Sequence, residues 1–451
     1  MSRENAANFQ SRFSTEHKVV IGMLIWLTLL TIGSTFISTP FQSEVSAGAN
    51  VIYPNVMYLH GLLIGMVGLI SLIAMDVFEC RHAGLRGLIL WGTLGATILS
   101  GLGGIFDRSV HDTFALWMQI TSFFFLDEIL LTLTITMYTV ARRSRQLTAW
   151  TSAAAALSAL LAAVMGHIAG WMLDFGTYPR ALILGYANFA GLRWQDWMAN
   201  LIGSHSHEMV AAVIALVTCV AIAAVPVHGE RRSRLTSFGL WLMLAGVILM
   251  TLMYVVAGFT QLQPPTLFAH GPSGLASDDL ITGVGVMLGS FIALLGVSME
   301  PGNERLLRYG SLVASALIFL TVVVGGYYIE FHENVFGGGG AAPGAMSDAV
   351  FTWWHQDFAF FMIPSTTVLL IALARLVQPG RARDYTMYAL VAGEIAAFLG
   401  GLIFVFFDPA MGGLGFVTIT LGFLAVIVGV VYAIIELLSK PVSVVGHTST
   451  R

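Results

Sequence analysis

Long apolar runs separated by polar connections are the main pattern of this sequence. A helix of about 20 apolar residues crosses the bilayer core of about 30 Å. Runs of that length predict twelve membrane-spanning helices: 18–38, 56–78, 86–106, 113–141, 149–173, 207–226, 236–259, 279–299, 307–330, 352–377, 386–407 and 413–438. Because each run is apolar on all sides and a helix satisfies its own backbone groups, the pattern predicts an all-α integral membrane protein with a single membrane domain, residues 1–451.

The composition agrees with this pattern and narrows the class of protein. Apolar residues make up 57% of the 451 residues and charged residues 10%, whereas a soluble domain has roughly 45–50% and 25%. The formal net charge is −4 and no basic patch has interleaved aromatic residues, so membrane lipid is an expected partner and nucleic acid is not. Two cysteines, Cys80 and Cys219, are too few and too far apart for a disulfide framework.

The positions of the basic residues predict the orientation in the membrane. With twelve helices, 18 of the 21 lysines and arginines fall on the side of the two termini. The other three are Arg108, Arg180 and Arg193. Because cytoplasmic loops carry the excess of positive charge, both termini are expected to be cytoplasmic.

An internal repeat is visible in the spacing of equivalent residues. The second span of each group of four opens with a histidine, at His60, His207 and His355, and these are separated by 147 and 148 positions. An arginine opens the third span of each group, at Arg86, Arg234 and Arg383. The spacing predicts three four-helix pseudo-repeats, 18–145, 149–305 and 307–440. The alternative is that a regular helix spacing alone brings the starts of these helices into register.

Histidines supply the most specific candidate chemistry. Imidazole ligates heme iron, copper and non-heme iron, and an ionisable residue within a membrane is a candidate functional residue. A hydrogen-bonded structural role is the alternative for any single histidine. His205 and His207 are two positions apart and point about 200° apart around a helix, so they would face two different centres.

Three short segments resemble a known family. YLHGLLIGMVGL around His60, SHSHEMVAA around His205 and His207, and TWWHQDFAFF around His355 resemble helices of the catalytic subunit of the heme-copper oxidase superfamily, which includes the bacterial nitric oxide reductases. The HSHEM segment and the VIALVTCVAIAAVP that follows it are also similar to heme-containing membrane proteins of the nitric oxide stress response. The resemblance implies a multi-pass protein of the bacterial cytoplasmic (inner) membrane.

The resemblance also implies a set of ligands. His60 and His207 would be the axial pair of a low-spin heme b, and His205 would bind a second heme-bearing centre. His355 would be a catalytic metal ligand, with Asp357 and Glu208 as catalytic-site acids that orient imidazole rings. Non-heme iron is compatible with this set. Copper is not expected, because the span 236–259 has no histidine.

The implied function is that of a heme-bearing membrane oxidoreductase. It would take electrons from a periplasmic cytochrome c or quinol, with partner subunits, and reduce nitric oxide or oxygen. Asp127, Glu128 and Glu394 lie within predicted spans and are candidates for a proton path to that centre. The alternative for each acid is a single interhelical hydrogen bond.

Two other functions remain open from the residues alone. One is a non-catalytic b-type cytochrome that transfers electrons or senses a gas. The other is a secondary transporter, because many transporters have internal repeats with polar sites near the middle of the membrane. The acids at Asp127, Glu128 and Glu394 fit a transporter, whereas histidines concentrated near the outer side favour the redox function.

Overall fold

A computed structural model describes residues 16, 18–26, 29, 52–80, 82–110, 113–174, 194–225, 233–260, 279–300, 304–335, 362–377, 379–407 and 413–439. Within these ranges all regular secondary structure is helical. The helices after the helical residues 18–26 are α1 (Ile52–Val77), α2 (Ala83–Val110), α3 (Thr113–Ser144), α4 (Leu147–Asp174), α5 (Trp194–Ala224), α6 (Arg234–Thr260), a π-helical segment (Asp279–Leu288), α7 (Gly289–Met299), α8 (Arg305–Val335), α9 (Ile363–Leu376), α10 (Arg381–Phe406) and α11 (Leu414–Ser439).

Polar side chains inside these helices are largely accommodated by the helices themselves. Thr134 donates to the carbonyl of Leu130 at 2.7 Å, and Thr367 donates to that of Ile363 at 3.0 Å. A hydroxyl bonded to the carbonyl one turn earlier in this way does not need a partner from lipid. These spans can therefore contain serine and threonine and still be stable in the membrane.

Eight helices of the described part are long and apolar enough to cross a membrane. Their spans are Ala83–Leu102, Ile120–Ser144, Leu147–Ala169, Ser204–Ala224, Arg234–Val256, Thr282–Met299, Arg381–Phe404 and Leu414–Glu436. Large apolar side chains point outward from them, including Trp91, Trp241 and Leu421, each at least 59% exposed. The protein is thus an all-α, multi-pass integral membrane protein in contact with lipid. The predicted class, an all-α integral membrane protein, is confirmed.

Helix α5 lies at the centre of the fold. In its span 83% of the residues are buried, against 33% in the span of α11, so α5 is enclosed by protein and α11 lies at the periphery. Helix α5 contacts α1, α4, α6, the π-helical segment, α7, α8 and α9, and the three helices α1, α5 and α9 also pack against one another. Most residues in this span of α5, though not Ser206 and His207, are therefore shielded from lipid and are well placed to form a site inside the protein.

Ion pairs connect the helices at the end where the basic residues lie. Arg86 of α2 pairs with Glu16 at 2.6 Å, and Arg375 of α9 pairs with Asp76 of α1 at 3.2 Å. Arg383 of α10 pairs with Glu304, which directly precedes α8, at 3.3 Å. These contacts bring residues far apart in sequence together at one end of the helices.

Candidate functional site

A buried carboxyl group joins three helices at the centre of the fold. Glu208 of α5 has no exposed surface, and its Oε1 lies 2.9 Å from the hydroxyl of Ser158 on α4. The Ser158 hydroxyl in turn accepts a hydrogen bond at 2.7 Å from Thr251 on α6. We refer to Glu208, Ser158 and Thr251 as the carboxyl–hydroxyl cluster. Such a cluster can stabilise the packing of its three helices and can hold or release a proton.

The sequence of α4 explains how Ser158 comes close to α5. Small buried residues surround Ser158 on α4: Ala155, Ala156, Ala159 and Ala162. Small side chains let two membrane helices approach closely, and polar side chains can then form hydrogen bonds between them. The carboxyl of Glu208 reaches a hydroxyl on α4 for this reason.

The two neighbouring histidines of α5 face different helices, in keeping with their spacing. The Nδ1 of His205 lies 2.8 Å from the carbonyl oxygen of Ala162 on α4. The ring of His207 stacks against that of Tyr254 on α6, with ring centres 6.2 Å apart and planes at 12°. The two imidazoles therefore contact α4 and α6, the same two helices that carry the hydroxyl groups of the carboxyl–hydroxyl cluster.

The ring of His205 also lies directly over Gly166 of α4. A methyl group at Gly166 would be 2.5 Å from the ring atoms Cε1 and Nδ1, which is closer than real contacts allow. Only glycine leaves this space free. The contact between α4 and α5 at His205 thus depends on residue 166.

The acids predicted to form a proton path lie in different surroundings. Asp127 of α3 pairs through Oδ2 with Nδ1 of His167 on α4, at 3.0 Å, whereas Glu128 lies near Gly92 of α2. Glu394 of α10 is fully buried, and neither of its oxygens has a hydrogen-bond partner in the described part of the chain. Helix α3 packs on α1, α2 and α4, and α10 packs on α8, α9 and α11. The three acids therefore do not form one cluster.

Several predicted ligands lie outside the described residues. His355 and Asp357 are among them, and for His60 the backbone lies on α1 but the side chain is not described. The axial pair of His60 and His207 and the metal ligand His355 therefore stay predictions. Across the ranges that are described, no three His, Cys, Asp or Glu side chains form a group that could hold a metal ion.

Ser158 and Thr251 are site residues that sequence analysis missed. Serine and threonine are common in these spans, and most bond to their own helix, as Thr251 also does through the carbonyl of Val247 at 2.7 Å. Nothing in the sequence distinguishes these two hydroxyls from the others. Sequence analysis selected Glu208 only because it lies next to His207. The more informative feature of Glu208 is that it is an acidic residue inside an apolar span.

Comparison with known proteins gives two partial matches. The C4-dicarboxylate transport protein of Polynucleobacter asymbioticus is 29% identical over 119 residues, 26% of this chain and 24% of that protein. The C4-dicarboxylate transport protein of Sphingopyxis alaskensis is 28% identical over 116 residues, 25% of this chain and 23% of that protein. The chain thus spans about a quarter of the length of these curated relatives. No known family profile and no solved structure matches significantly.

These matches contradict the resemblance to the heme-copper oxidase superfamily. Both relatives are named as transport proteins, so the predicted heme-bearing oxidoreductase of the respiratory chain is wrong. The resemblance rested on three short segments with a histidine near a helix start, a pattern that apolar helices of other membrane proteins can also contain. In addition, the span 236–259 has no histidine for a metal pair.

The other parts of that prediction lose their basis with it. The prediction of heme b or non-heme iron as a cofactor, without copper, depended on the resemblance. The described residues do not test it. A periplasmic cytochrome c, quinol and partner subunits have no support in the comparisons or in the described structure.

Proposed function

We propose that this protein is a secondary transporter of small organic anions of the C4-dicarboxylate class. The observation that carries the proposal is the similarity of about a quarter of the chain to two proteins named as C4-dicarboxylate transport proteins. The arrangement of polar groups supports it. Secondary transporters bind substrate and coupling ions at polar sites deep within their helices, and Glu208, Asp127 and Glu394 lie within membrane spans.

The same proposal includes the number and arrangement of the spans. The protein would have twelve spans within one membrane domain, in three four-helix pseudo-repeats, 18–145, 149–305 and 307–440. Similar helix packing in the second and third units supports it. In the second unit α4 contacts α5 and α6, and α6 contacts α7; in the third unit α8 contacts α9 and α10, and α10 contacts α11. Arg86 and Arg383 also occupy equivalent positions, and each pairs with a glutamate, Glu16 or Glu304, that lies just before the first predicted span of its unit.

We further propose a bacterial inner-membrane protein with both termini cytoplasmic. The support is the division of basic residues, 18 against three, together with the ion pairs at the basic end of the helices. In a transporter, the acids Asp127, Glu128 and Glu394 would take part in proton coupling and not in a redox reaction.

Uptake by the purified full-length protein in liposomes tests the proposed function. We expect radiolabelled succinate to accumulate when a proton or sodium gradient is imposed. Unlabelled fumarate and malate should compete with succinate, whereas acetate, with one carboxylate, should not. Protein-free liposomes are the control. Absence of uptake under either gradient, and of exchange against succinate inside the liposomes, would contradict the proposal.

A further inference from the structure

We propose that Glu208 is a proton-binding site of the transporter and that the carboxyl–hydroxyl cluster supports both of its protonation states. This inference rests on the proposed function and names the site at which the coupled proton binds. It starts from two observations. Glu208 is completely buried, and its Oε2 has no hydrogen-bond partner among the described residues.

Burial makes a permanent charge at this position costly. A carboxylate removed from water needs a cation or several hydrogen-bond donors to be stable. The contacts found for Glu208 are neutral hydroxyl groups, with Ser158 at 2.9 Å. A site that gives a carboxylate some stabilisation, but no neutralising cation among the described residues, can gain and lose a proton during a transport cycle.

The hydroxyl of Thr251 has two acceptors within reach. It lies 2.7 Å from the Ser158 hydroxyl and also 2.7 Å from the carbonyl oxygen of Val247. A hydroxyl has one proton, so it donates fully to only one of them at a time. The choice between the two acceptors allows the hydrogen bonds of the cluster to reverse direction.

Each protonation state of Glu208 then has its own set of hydrogen bonds. With a carboxylate, Thr251 donates to Ser158 and Ser158 donates to Oε1. When a proton from the solution binds to the carboxylate, the new O–H donates to Ser158, the Ser158 hydroxyl donates to that of Thr251, and Thr251 turns to the carbonyl of Val247. Release of this proton to the other side of the membrane restores the first state, so one proton enters and one leaves in each cycle.

In the described structure, no titratable group near the cluster forms an ion pair with Glu208. On α5 itself, His205 bonds to the carbonyl of Ala162 on α4, and His207 stacks on Tyr254 of α6. The side chain of His60 on α1 is not described.

Charged residues on the surrounding helices lie mostly at the basic end. At that end are Asp76 on α1, Arg234 on α6, Arg305 and Arg308 on α8 and Arg375 on α9. The side chains of Asp174 on α4, Asp279 on the π-helical segment, and Glu330 and Glu333 on α8 are not described. Glu208 is 16 residues from the end of α5 at Ala224, about 24 Å along the helix. On the remaining neighbours, α4 carries His167, which pairs with Asp127, and the described part of α7 carries no charged residue.

The experiment measures the proton directly by infrared difference spectroscopy on the reconstituted full-length protein. We expect a stretching band of a protonated carboxyl group that changes with bulk pH in the natural protein and is missing from Glu208→Gln. Ser158→Ala should keep this band and move its frequency, because a hydrogen bond to the carboxyl is lost. The control Asp76→Asn removes a carboxylate at the basic end of α1 and should leave the band unchanged.

Transport by the same proteins provides the second measurement. Because glutamine resembles a permanently protonated carboxyl, Glu208→Gln should lower succinate accumulation driven by a proton gradient at least about tenfold and keep exchange of internal for external succinate. An unchanged band, or unchanged gradient-driven uptake, in Glu208→Gln would overturn the proton site. If the natural protein transports no dicarboxylate, the proposed function fails, and the infrared band alone decides whether Glu208 binds a proton.

Discussion

His167 of α4 and Asp127 of α3 are in direct contact within the membrane-spanning part of the protein, with Nδ1 and Oδ2 3.0 Å apart. The ring of Phe123 stacks on His167, with centres 5.2 Å apart. Oδ1 of Asp127 and Nε2 of His167 are buried and have no hydrogen-bond partner within the described ranges. The two side chains thus depend mainly on each other, which explains how an aspartate is tolerated here.

We expect this pair to couple α3 and α4 energetically. Asp127→Asn and His167→Gln should each destabilise the protein, and the double variant should lose less than the sum of the two. Interhelical pairs of this kind couple by about 0.5–2 kcal/mol. Thermal unfolding in detergent of the four proteins measures the coupling. Additive effects of the two substitutions would show that the contact does not contribute to stability.

Hydropathy predicts the position of several helices closely. The span 113–141 corresponds to α3, Thr113–Ser144, and 149–173 corresponds to α4, Leu147–Asp174. The start of α5 was missed: the prediction begins at residue 207, but the helix begins at Trp194. Its first turns contain polar residues, which a search for apolar runs excludes although they are compatible with a helix.

Other features depend on contacts that a sequence does not contain. The π-helical turns of Asp279–Leu288 have the same apolar composition as an ordinary helix, so periodicity does not reveal them. The spacing of His205 and His207 correctly indicated two directions around α5. Their neighbours Ser158 and Thr251 could not be identified, because the choice among many similar hydroxyls is made by the packing of α4 and α6.

The ion pair of Arg383 and Glu304 should contribute more stability than that of Arg375 and Asp76. The side chain of Arg383 is 7% exposed, whereas that of Arg375 is 30% exposed. Removing one partner of a buried pair leaves the other charge unpaired, so Arg383→Met should cost about 2–3 kcal/mol. Arg375→Met is the control, and an exposed pair contributes less than about 1 kcal/mol.

Chemical or thermal unfolding of the two arginine variants in the same detergent compares these costs. Both substitutions remove one positive charge, so the difference between them reports burial and not net charge. Equal destabilisation of the two proteins would show that the Arg383 pair is as well hydrated as the surface pair.

The proposed topology predicts the side of the membrane on which two connections lie. Reporter enzymes fused after Arg143 and after Gly338 should be found on opposite sides, with the first in the cytoplasm, because Arg143 lies among the basic residues at the end of α3. The measurement uses two reporter enzymes, one active only in the cytoplasm and the other only on the outer side of the membrane. The same side for both fusions would mean that the number of spans between them is even, and the proposed count would be wrong.

Helices α10 and α11 approach each other along glycines. A methyl group at Gly400 of α10 would lie 2.5 Å from the backbone nitrogen of Ile419, and one at Gly422 of α11 would lie 2.4 Å from that of Ala397. Backbone atoms cannot move aside as flexible side chains can, so the two helices would have to separate. Small residues at such contacts allow the close packing that holds helices together in lipid.

Gly422→Ala should therefore destabilise the protein, by about 1–3 kcal/mol for a contact that is overfilled. The control is Gly87→Ala on α2, where a methyl group would meet no atom within 4 Å. Alanine favours a helix over glycine by about 1 kcal/mol, so this variant should be as stable as the natural protein or more stable. In detergent, we expect Gly422→Ala to unfold at a lower temperature than the natural protein, and Gly87→Ala to unfold at the same or a higher temperature. If Gly422→Ala unfolds at the same temperature as Gly87→Ala, the close approach of α10 and α11 is not required for stability.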